Sequence, residues 1–146
     1  MTEAEGRFII RIAAALIMDA GGNILLVRKR GTGIFMQAGG KIEAHETPRQ
    51  ALSRELAEEL GIEVCSDVPE HLGRFVAPAA NENGCLVEAD LFHLTVRPPI
   101  RPAAEIEEIA WVDPFRTGGL QLAQLTREHV LPVARDRRQK LTTQNS

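Results

Sequence analysis

The sequence predicts an α/β protein in which a mixed sheet lies between helices. Two apolar segments of strand length, residues 7–18 and 24–30, open the chain. One strongly patterned helix follows them. Further strand patterns lie over 72–78 and 86–96, and a second amphipathic helix is predicted over 120–130. Strands that flank one strong helix and end in another helix are typical of a sheet covered by helices.

Length and composition indicate one soluble globular domain. The chain has 146 residues, enough for one compact domain with a real core and cramped for two. Its 44% apolar and 25% charged residues are ordinary values for such a domain. The net charge of −3 gives no electrostatic case for binding a nucleic-acid polymer. A nucleotide is not excluded, because metal ions can neutralise a few phosphates.

The cysteines and the N-terminus favour a cytoplasmic protein with no membrane partner. Cys65 and Cys85 form neither a metal-ligand cluster nor a disulfide framework, and two buried or unreactive thiols are expected. The first residues carry acids where a secretory signal would carry bases. No apolar run approaches the length that spans a membrane.

The predicted first helix has local signals at both of its ends. Thr47 is expected to cap the helix, with Pro48 at its first position. Gln50 completes a capping box with Thr47, and Gly61 is suited to a left-handed end. An apolar stripe should anchor the helix on a core, and it consists of Leu52, Leu56 and Leu60.

Three acids in this helix are badly placed for stability. Glu55, Glu58 and Glu59 share one arc of the helix surface, where like charges each cost about 0.2–0.5 kcal/mol. The helix dipole also disfavours anions in its C-terminal half, and only Arg54 offers local relief. A divalent cation would turn the repulsion into coordination, and oxygen ligands suit magnesium or manganese. The alternative from these acids alone is a solvated acidic face.

The full spacing around these acids resembles a known motif. From Gly40 the chain reads G, five residues, Glu46, seven residues and then RELAEELGI over 54–62. This is similar at every specified position to the Nudix box, G-x(5)-E-x(7)-R-E-U-x-E-E-x-G-U, in which U is aliphatic. The chain is therefore identified as a member of the Nudix hydrolase family, and its GGKIE segment most resembles the MutT-like branch. A match of this length is far more specific than a lone glycine motif.

The resemblance implies a fold and a domain organisation. It implies the Nudix α/β/α sandwich with a mixed sheet, formed by residues 1–146 as one domain with a core over about 7–135. A solvated basic tail is expected after that core, and it contains Arg135, Arg137, Arg138 and Lys140.

The resemblance also implies the residues of a metal site. The expected cofactor is Mg²⁺, with Mn²⁺ as the alternative, and Arg54 is expected to orient Glu55. An acid before the strand that bears Trp111 should complete the site or act as the base; Glu105 aligns best and Glu108 is the reserve. The general base is left open between Glu55 and Glu105. The implied metal ligands are Gly39 through its carbonyl, Glu55, Glu58, Glu59 and Glu105.

Substrate contacts are implied at two places. Gly39 and Gly40 let the backbone approach a ligand closely. Arg28 and Lys29 are candidates for phosphate contacts, with an ordinary charged strand end as the alternative. Many MutT-like relatives have an aromatic residue and a proline where this chain has Gln37 and Ala38, so base preference cannot be carried over.

The implied activity is Mg²⁺-dependent cleavage of a pyrophosphate linkage in a nucleoside diphosphate linked to another moiety. A MutT-like nucleoside triphosphate pyrophosphohydrolase is the first choice. An ADP-ribose or nucleotide-sugar pyrophosphatase is the alternative. It is supported by Pro78, whose position in the sequence is close to that of a proline characteristic of such relatives. A non-catalytic nucleotide-binding regulatory domain is the third interpretation, although every acid of the box is present. The expected partner is a small nucleotide, and a homodimer is left open. Trp111 is expected to lie in the core rather than to stack on a base.

Overall fold

A computed structural model describes residues 2–4, 7–65, 67–80 and 83–144. In this part of the chain, seven strands form one mixed sheet with the path β5-β6-β2-β4-β3-β7, and β1 pairs with β2 beside that path. Strands β2 and β6 are parallel, and the other pairs are antiparallel. The elements are β1 (Thr2–Ala4), β2 (Arg7–Ile17), β3 (Ile24–Lys29), β4 (Phe35–Lys41), α1 (Pro48–Leu60), β5 (Glu70–Pro78), β6 (Cys85–Leu94), β7 (Ile106–Val112) and α2 (Leu131–Gln144).

The two faces of the sheet bury two separate cores, which gives the predicted α/β/α sandwich. Leu52, Leu56 and Leu60 of α1 are fully buried against one face, as their spacing predicts. The C-terminal helical region covers the other face, where Val130, Leu131 and Ala134 are buried.

Strand β4 joins the two halves of the sheet. Its first residues, Phe35 to Gln37, pair with β3, whereas Ala38 to Lys41 pair with β2. Gly39 and Gly40 therefore lie inside a paired strand. Gly39 has φ +133°, and a Cβ atom built there would lie 2.1 Å from the carbonyl oxygen of Ala13. The close approach of β2 thus requires glycine at this position.

Helix α1 has the predicted ends. The Thr47 side chain accepts a hydrogen bond from the Gln50 amide, and the Gln50 side chain accepts one from the Thr47 amide at 2.9 Å. Gly61 adopts the left-handed conformation with φ 66° and closes the helix onto the carbonyls of Leu56 and Ala57. Both ends of the acid-bearing helix are therefore fixed by local interactions.

The second helix predicted over 120–130 exists, but its predicted bounds were wrong. Residues 120–123 are irregular, and helical structure begins at Gln124, continues through a π-helical turn over Thr126–Val130 and extends as α2 to Gln144. Pro132 is the second residue of α2 inside this helical region, where its ring removes one backbone amide donor.

Three of the four basic residues expected in a solvated tail lie in α2 and pack on the domain, whereas Lys140 is exposed and pairs with Asp136 of the same helix. Arg138 donates to Asp113 at 2.6 Å, and Arg137 donates to Glu70 at 3.0 Å. Arg135 donates to the Pro114 carbonyl at 2.7 Å. Burial of apolar residues in the first turn of α2 brings these cations against acceptors on β5 and just after β7.

Two smaller expectations also need correction. Trp111 is 41% exposed rather than buried, because β7 is an edge strand of the sheet. Cys65 is exposed and Cys85 is partly buried, and both are free thiols.

No helix in the described residues has the length and apolar character needed to cross a membrane.

Candidate active site

The acidic face of α1 lies against the glycine segment of β4. The Glu55 carboxylate packs so closely on Gly40 that a Cβ atom there would lie 2.4 Å from its carboxyl carbon. Gly40 therefore leaves room for this carboxylate. Burial raises the pKa of Glu55 above its usual value, although its hydrogen bond with Arg54 opposes the shift.

Glu59 is the most buried acid of the cluster, with 6% of its surface exposed. Its carboxylate accepts a 3.4 Å hydrogen bond from the Gly39 amide. Burial, followed by the nearby charge of Glu55, raises the pKa of Glu59 from 4.5 to about 7. The protein thus holds a carboxylate where its negative charge is unfavourable unless a cation lies nearby.

Arg54 connects the acidic face to the loop before the helix. Its guanidinium donates to both carboxylate oxygens of Glu46, at 2.6 and 2.9 Å, and to Glu55 at 2.8 Å. The hydrogen bond from Arg54 lowers the pKa of Glu46 to about 2, and the same contact raises the pKa of Arg54. Glu46 thus holds Arg54, which in turn holds Glu55.

Glu58 and Glu105 lie at the edges of this cluster. Glu58 is half exposed and lies 3.5 Å from Arg54. Glu105 is mostly exposed and lies 3.9 Å from the Lys29 amine. Among the side chains that the structure describes, no three acids, histidines or cysteines already converge closely enough to hold a metal ion. Arg54 accounts for part of this spread, since it draws Glu55 and Glu58 toward itself.

The loop that carries Glu105 is attached to the end of α1. The amides of Arg101 and Ala103 donate to the carbonyls of Leu60 and Glu59, at 3.0 and 2.8 Å. These bonds satisfy carbonyls that a helix end leaves without partners. They also place Glu105 close enough to raise the pKa of Glu59, although as a minor contribution.

The two cations at the end of β3 have different positions. Lys29 lines the cavity beside the glycines, and its charge opposes the upward pKa shifts of Glu55 and Glu59. Arg28 instead donates to Glu108 at 3.0 Å and to the Thr32 carbonyl at 2.9 Å. Adjacent strand residues point to opposite faces, so the structure brings Lys29 but not Arg28 to the site.

A cavity of about 130 Å³ opens beside the glycine segment. Gly39 and Gly40 form part of its wall, so the cavity and the acidic face of α1 share this short stretch of backbone. Apolar residues from β2, β6, the end of β5, the connection that follows it and the segment before the π turn (residues 121–125) form most of the remaining wall, among them Ile12, Val87, Pro78, Ala80 and Leu125. The arrangement places an apolar compartment beside a charged one.

Sequence reasoning missed most of the cavity wall. Residues such as Ile12 and Val87 carry only the pattern of ordinary strand residues, which gives no signal for a ligand. Thr126 was missed as well, although it is fully buried and donates to Gln37 across 2.7 Å. A polar residue in an otherwise apolar helical stripe was the available signal for Thr126.

The raised pKa of Glu59 should make the free energy of unfolding depend on pH when divalent ions are absent. Glu59 has a folded-state pKa of about 7, above its ordinary 4.5, so the folded protein binds more protons than the unfolded chain between these values. Stability should therefore fall as pH rises from 5 to 7.5, by up to about 3 kcal/mol from this group. Glu46, whose pKa is lowered from 4.5 to about 2, changes the pH dependence of stability only below this range. Urea unfolding in EDTA across this range tests the expectation, and rising stability would contradict it.

A family comparison agrees with this site. Residues 9–132 match the family model described as NUDIX domain. A fold with an acidic capped helix against a glycine strand, together with this match, defines a hydrolase that acts on phosphorus-containing acid anhydrides. The chain belongs to the Nudix family, and its structural neighbours include proteins of the MutT type.

Individual relatives support the same placement. The chain is 34% identical to the CTP pyrophosphohydrolase of Escherichia coli (strain K12) over 111 residues, which cover 73% of this chain and 77% of that protein. It is 47% identical to the 8-oxo-dGTP diphosphatase of Haemophilus influenzae over 58 residues, 37% of this chain and 43% of that protein. The crystal structure of a MutT protein from Methanosarcina mazei Go1 matches with a TM-score of 0.77 and 25% identity, over 94% of this chain and 99% of that one.

Proposed function

We propose that this protein is a Mg²⁺-dependent nucleoside triphosphate pyrophosphohydrolase of the MutT type. The observation that carries the proposal is the buried Glu59 carboxylate, held beside Glu55 at a glycine wall that also faces an apolar cavity. A base fits the apolar compartment, and a phosphate chain extending over Gly39 and Gly40 would reach the acids. The relatives named for CTP and 8-oxo-dGTP also act on nucleoside triphosphates, which supports this substrate class.

The acids of this chain have the chemistry that a hard divalent cation requires. Glu55, Glu58 and Glu59, with the Gly39 carbonyl, would hold Mg²⁺ or Mn²⁺ through oxygen atoms, and Glu105, whose charge influences Glu59, would join them. Burial and the charge of Glu55 raise the pKa of Glu59 to about 7, so a cation at this position would stabilise the ionised carboxylate. When bound, the metal neutralises phosphate charge and favours ionisation of a water molecule.

The remaining steps are assigned to side chains. Lys29 lies at the cavity and would contact a phosphate, whereas Arg28 is left out because its guanidinium is occupied elsewhere. Glu55 is the first choice to accept the proton of the attacking water, because its carboxylate lies against Gly40 and is positioned by a hydrogen bond from Arg54. Glu105 is the second choice. Arg54 positions Glu55 and is itself held by Glu46.

Product analysis on a substrate panel tests the proposal. The panel contains CTP, GTP, 8-oxo-dGTP, ADP-ribose and a nucleotide sugar, each with Mg²⁺ or with EDTA. The expected result is Mg²⁺-dependent release of pyrophosphate and a nucleoside monophosphate from a triphosphate. Faster cleavage of ADP-ribose would favour the alternative, to which Pro78 in the cavity wall lends some support. Nucleotide binding without any hydrolysis would identify a regulatory domain.

A pair of variants shows whether the acids act as proposed. Glu58→Ala should reduce the Mg²⁺-dependent rate at least about 100-fold, because it removes a proposed metal ligand. The fold should be unchanged, because the Glu58 side chain is half exposed. Glu128→Ala is the control, because Glu128 is an exposed acid of the C-terminal helical region that hydrogen-bonds to Gln124. Equal rates in the two variants would overturn the metal assignment while leaving the family unchanged.

A further inference from the structure

Gln37 places a buried amide in the wall of the cavity. Only 7% of its surface is exposed, and it precedes Gly39 by two residues on β4. Apart from the lysines Lys29 and Lys41, Gln37 is the only polar residue among the lining residues that the structure describes. A buried amide needs hydrogen-bond partners, because leaving it unsatisfied is costly.

One half of this amide is already satisfied. The hydroxyl of Thr126, which is fully buried, donates to Gln37 Oε1 at 2.7 Å. This bond assigns the oxygen to the helical side and leaves Nε2 as the donor on the other side of the amide. No residue that the structure describes accepts a hydrogen bond from Nε2.

The backbone fixes this pairing. The Phe35 amide donates to the Gln121 carbonyl at 2.8 Å, and the Ala123 amide donates to the Phe35 carbonyl at 3.0 Å. These bonds tie the segment before the π turn to the start of β4. Further along the π turn, the Leu131 amide donates to the Thr126 carbonyl. Thr126 is therefore held opposite Gln37 by backbone contacts on both sides, and the amide is preorganised.

We infer that Gln37 determines base specificity by donating a hydrogen bond from Nε2 to an acceptor on the edge of the substrate's nucleobase. The inference rests on the proposed function and names the ligand group that the cavity would recognise. The neighbouring wall residues are aliphatic, so they would hold a base by contact without distinguishing its polar edge. A fixed donor in such a wall discriminates strongly, since a base that lacks the acceptor leaves the amide unpaired.

Steady-state kinetics on three triphosphates test this inference. The substrates are CTP, GTP and ribose 5-triphosphate, which has the same phosphate chain but no base. The variants are Gln37→Met, which removes the donor, and Gln37→Glu, which replaces Nε2 with an acceptor and keeps an oxygen for Thr126. Thr126→Val removes the hydroxyl that orients the amide. Thermal unfolding of each variant confirms that it is folded.

The expected result is a change in KM that depends on the presence of the base. For the nucleotide that the wild-type protein prefers, Gln37→Met should raise KM about tenfold with kcat within about twofold, because the contact is made equally in ground and transition states. Gln37→Glu should raise KM at least as much, and Thr126→Val should give an intermediate increase. KM for ribose 5-triphosphate should change less than about twofold in these variants.

Three outcomes would overturn the inference. KM values unchanged for CTP and GTP in Gln37→Met would show that the amide does not contact the base. An equal rise in KM for ribose 5-triphosphate would show that Gln37 only supports the phosphate site or the strand. If Gln124→Met, which changes an exposed amide bonded to Glu128, had the same effect, the change would not be specific to the cavity. Failure of the wild-type protein to hydrolyse any triphosphate would instead remove the proposed function, and with it this inference.

Discussion

Replacing Glu59 with glutamine is expected to reduce the Mg²⁺-dependent rate at least about 100-fold while it stabilises the metal-free protein. The rate should fall because a neutral amide is a poor ligand for a hard cation. The stability should rise near pH 7 because the variant no longer buries a carboxylate whose pKa is raised to about 7. Opposite signs for activity and stability are typical of a functional residue in an unfavourable environment.

Two measurements separate this expectation from a structural role. Urea unfolding in EDTA should show a smaller loss of stability between pH 5 and 7.5 in Glu59→Gln than in the wild-type protein. Glu63→Gln, a change at an exposed acid just after α1, serves as the matched control and should alter neither property. If Glu59→Gln were less stable than wild type at pH 7.5, Glu59 would be a structural residue and the proposal would fail.

Replacing Gly39 with alanine is expected to destabilise the fold by more than about 3 kcal/mol. The new Cβ atom would lie 2.1 Å from the Ala13 carbonyl oxygen, and φ +133° is strained for any side chain. Backbone atoms cannot move aside as a flexible side chain can, so β2 and β4 must separate. Denaturant unfolding measures the loss directly.

A second glycine provides the control for backbone strain alone. Gly31 also has a positive φ, of +84°, but a Cβ atom there meets nothing within 4 Å. Gly31→Ala should therefore cost only about 1–2 kcal/mol. Similar losses in both variants would show that the contact with Ala13 does not matter, and that Gly39 is required only for its dihedral angle.

The sequence was most informative where local interactions decide the structure. Thr47, Pro48, Gln50 and Gly61 fix the ends of α1 within a few residues of themselves, and the structure shows the predicted caps. The acidic arc also follows from helix geometry alone. For these reasons the helix and its charged face were predictable without knowledge of the rest of the chain.

Long-range pairing decided what the sequence could not show. The local pattern favoured a helix over 120–130, whereas the helical region runs from Gln124 to Gln144 and buries Leu131 and Ala134 against the sheet. Arg28 and Lys29 looked equivalent as neighbours, but strand geometry and a register shift between them send them to different surroundings. The short strand Thr2–Ala4 exists only because β2 offers it a partner.

The partner of Gln37 was hidden for a similar reason. The substitution of Gln37 for an aromatic residue was visible in the sequence, but its partner Thr126 lies 89 residues away. Only the fold shows that the hydroxyl orients the amide. The role of a residue that differs from the family pattern can therefore be interpreted once its contact partner in the fold is known.

The hydrogen bonds from Arg101 and Ala103 to the end of α1 have a consequence for how new specificities could evolve. Insertions in the loop between β6 and β7, which carries Arg101, Ala103 and Glu105, would break these hydrogen bonds at the end of α1. They would therefore disturb catalysis together with recognition. Residues 78–80 and the segment before the π turn also line the cavity, and among the described contacts they make no backbone hydrogen bond to α1. Inherited variation that changes which nucleotide is accepted should therefore accumulate in these two segments, while the loop that carries Glu105 keeps its length.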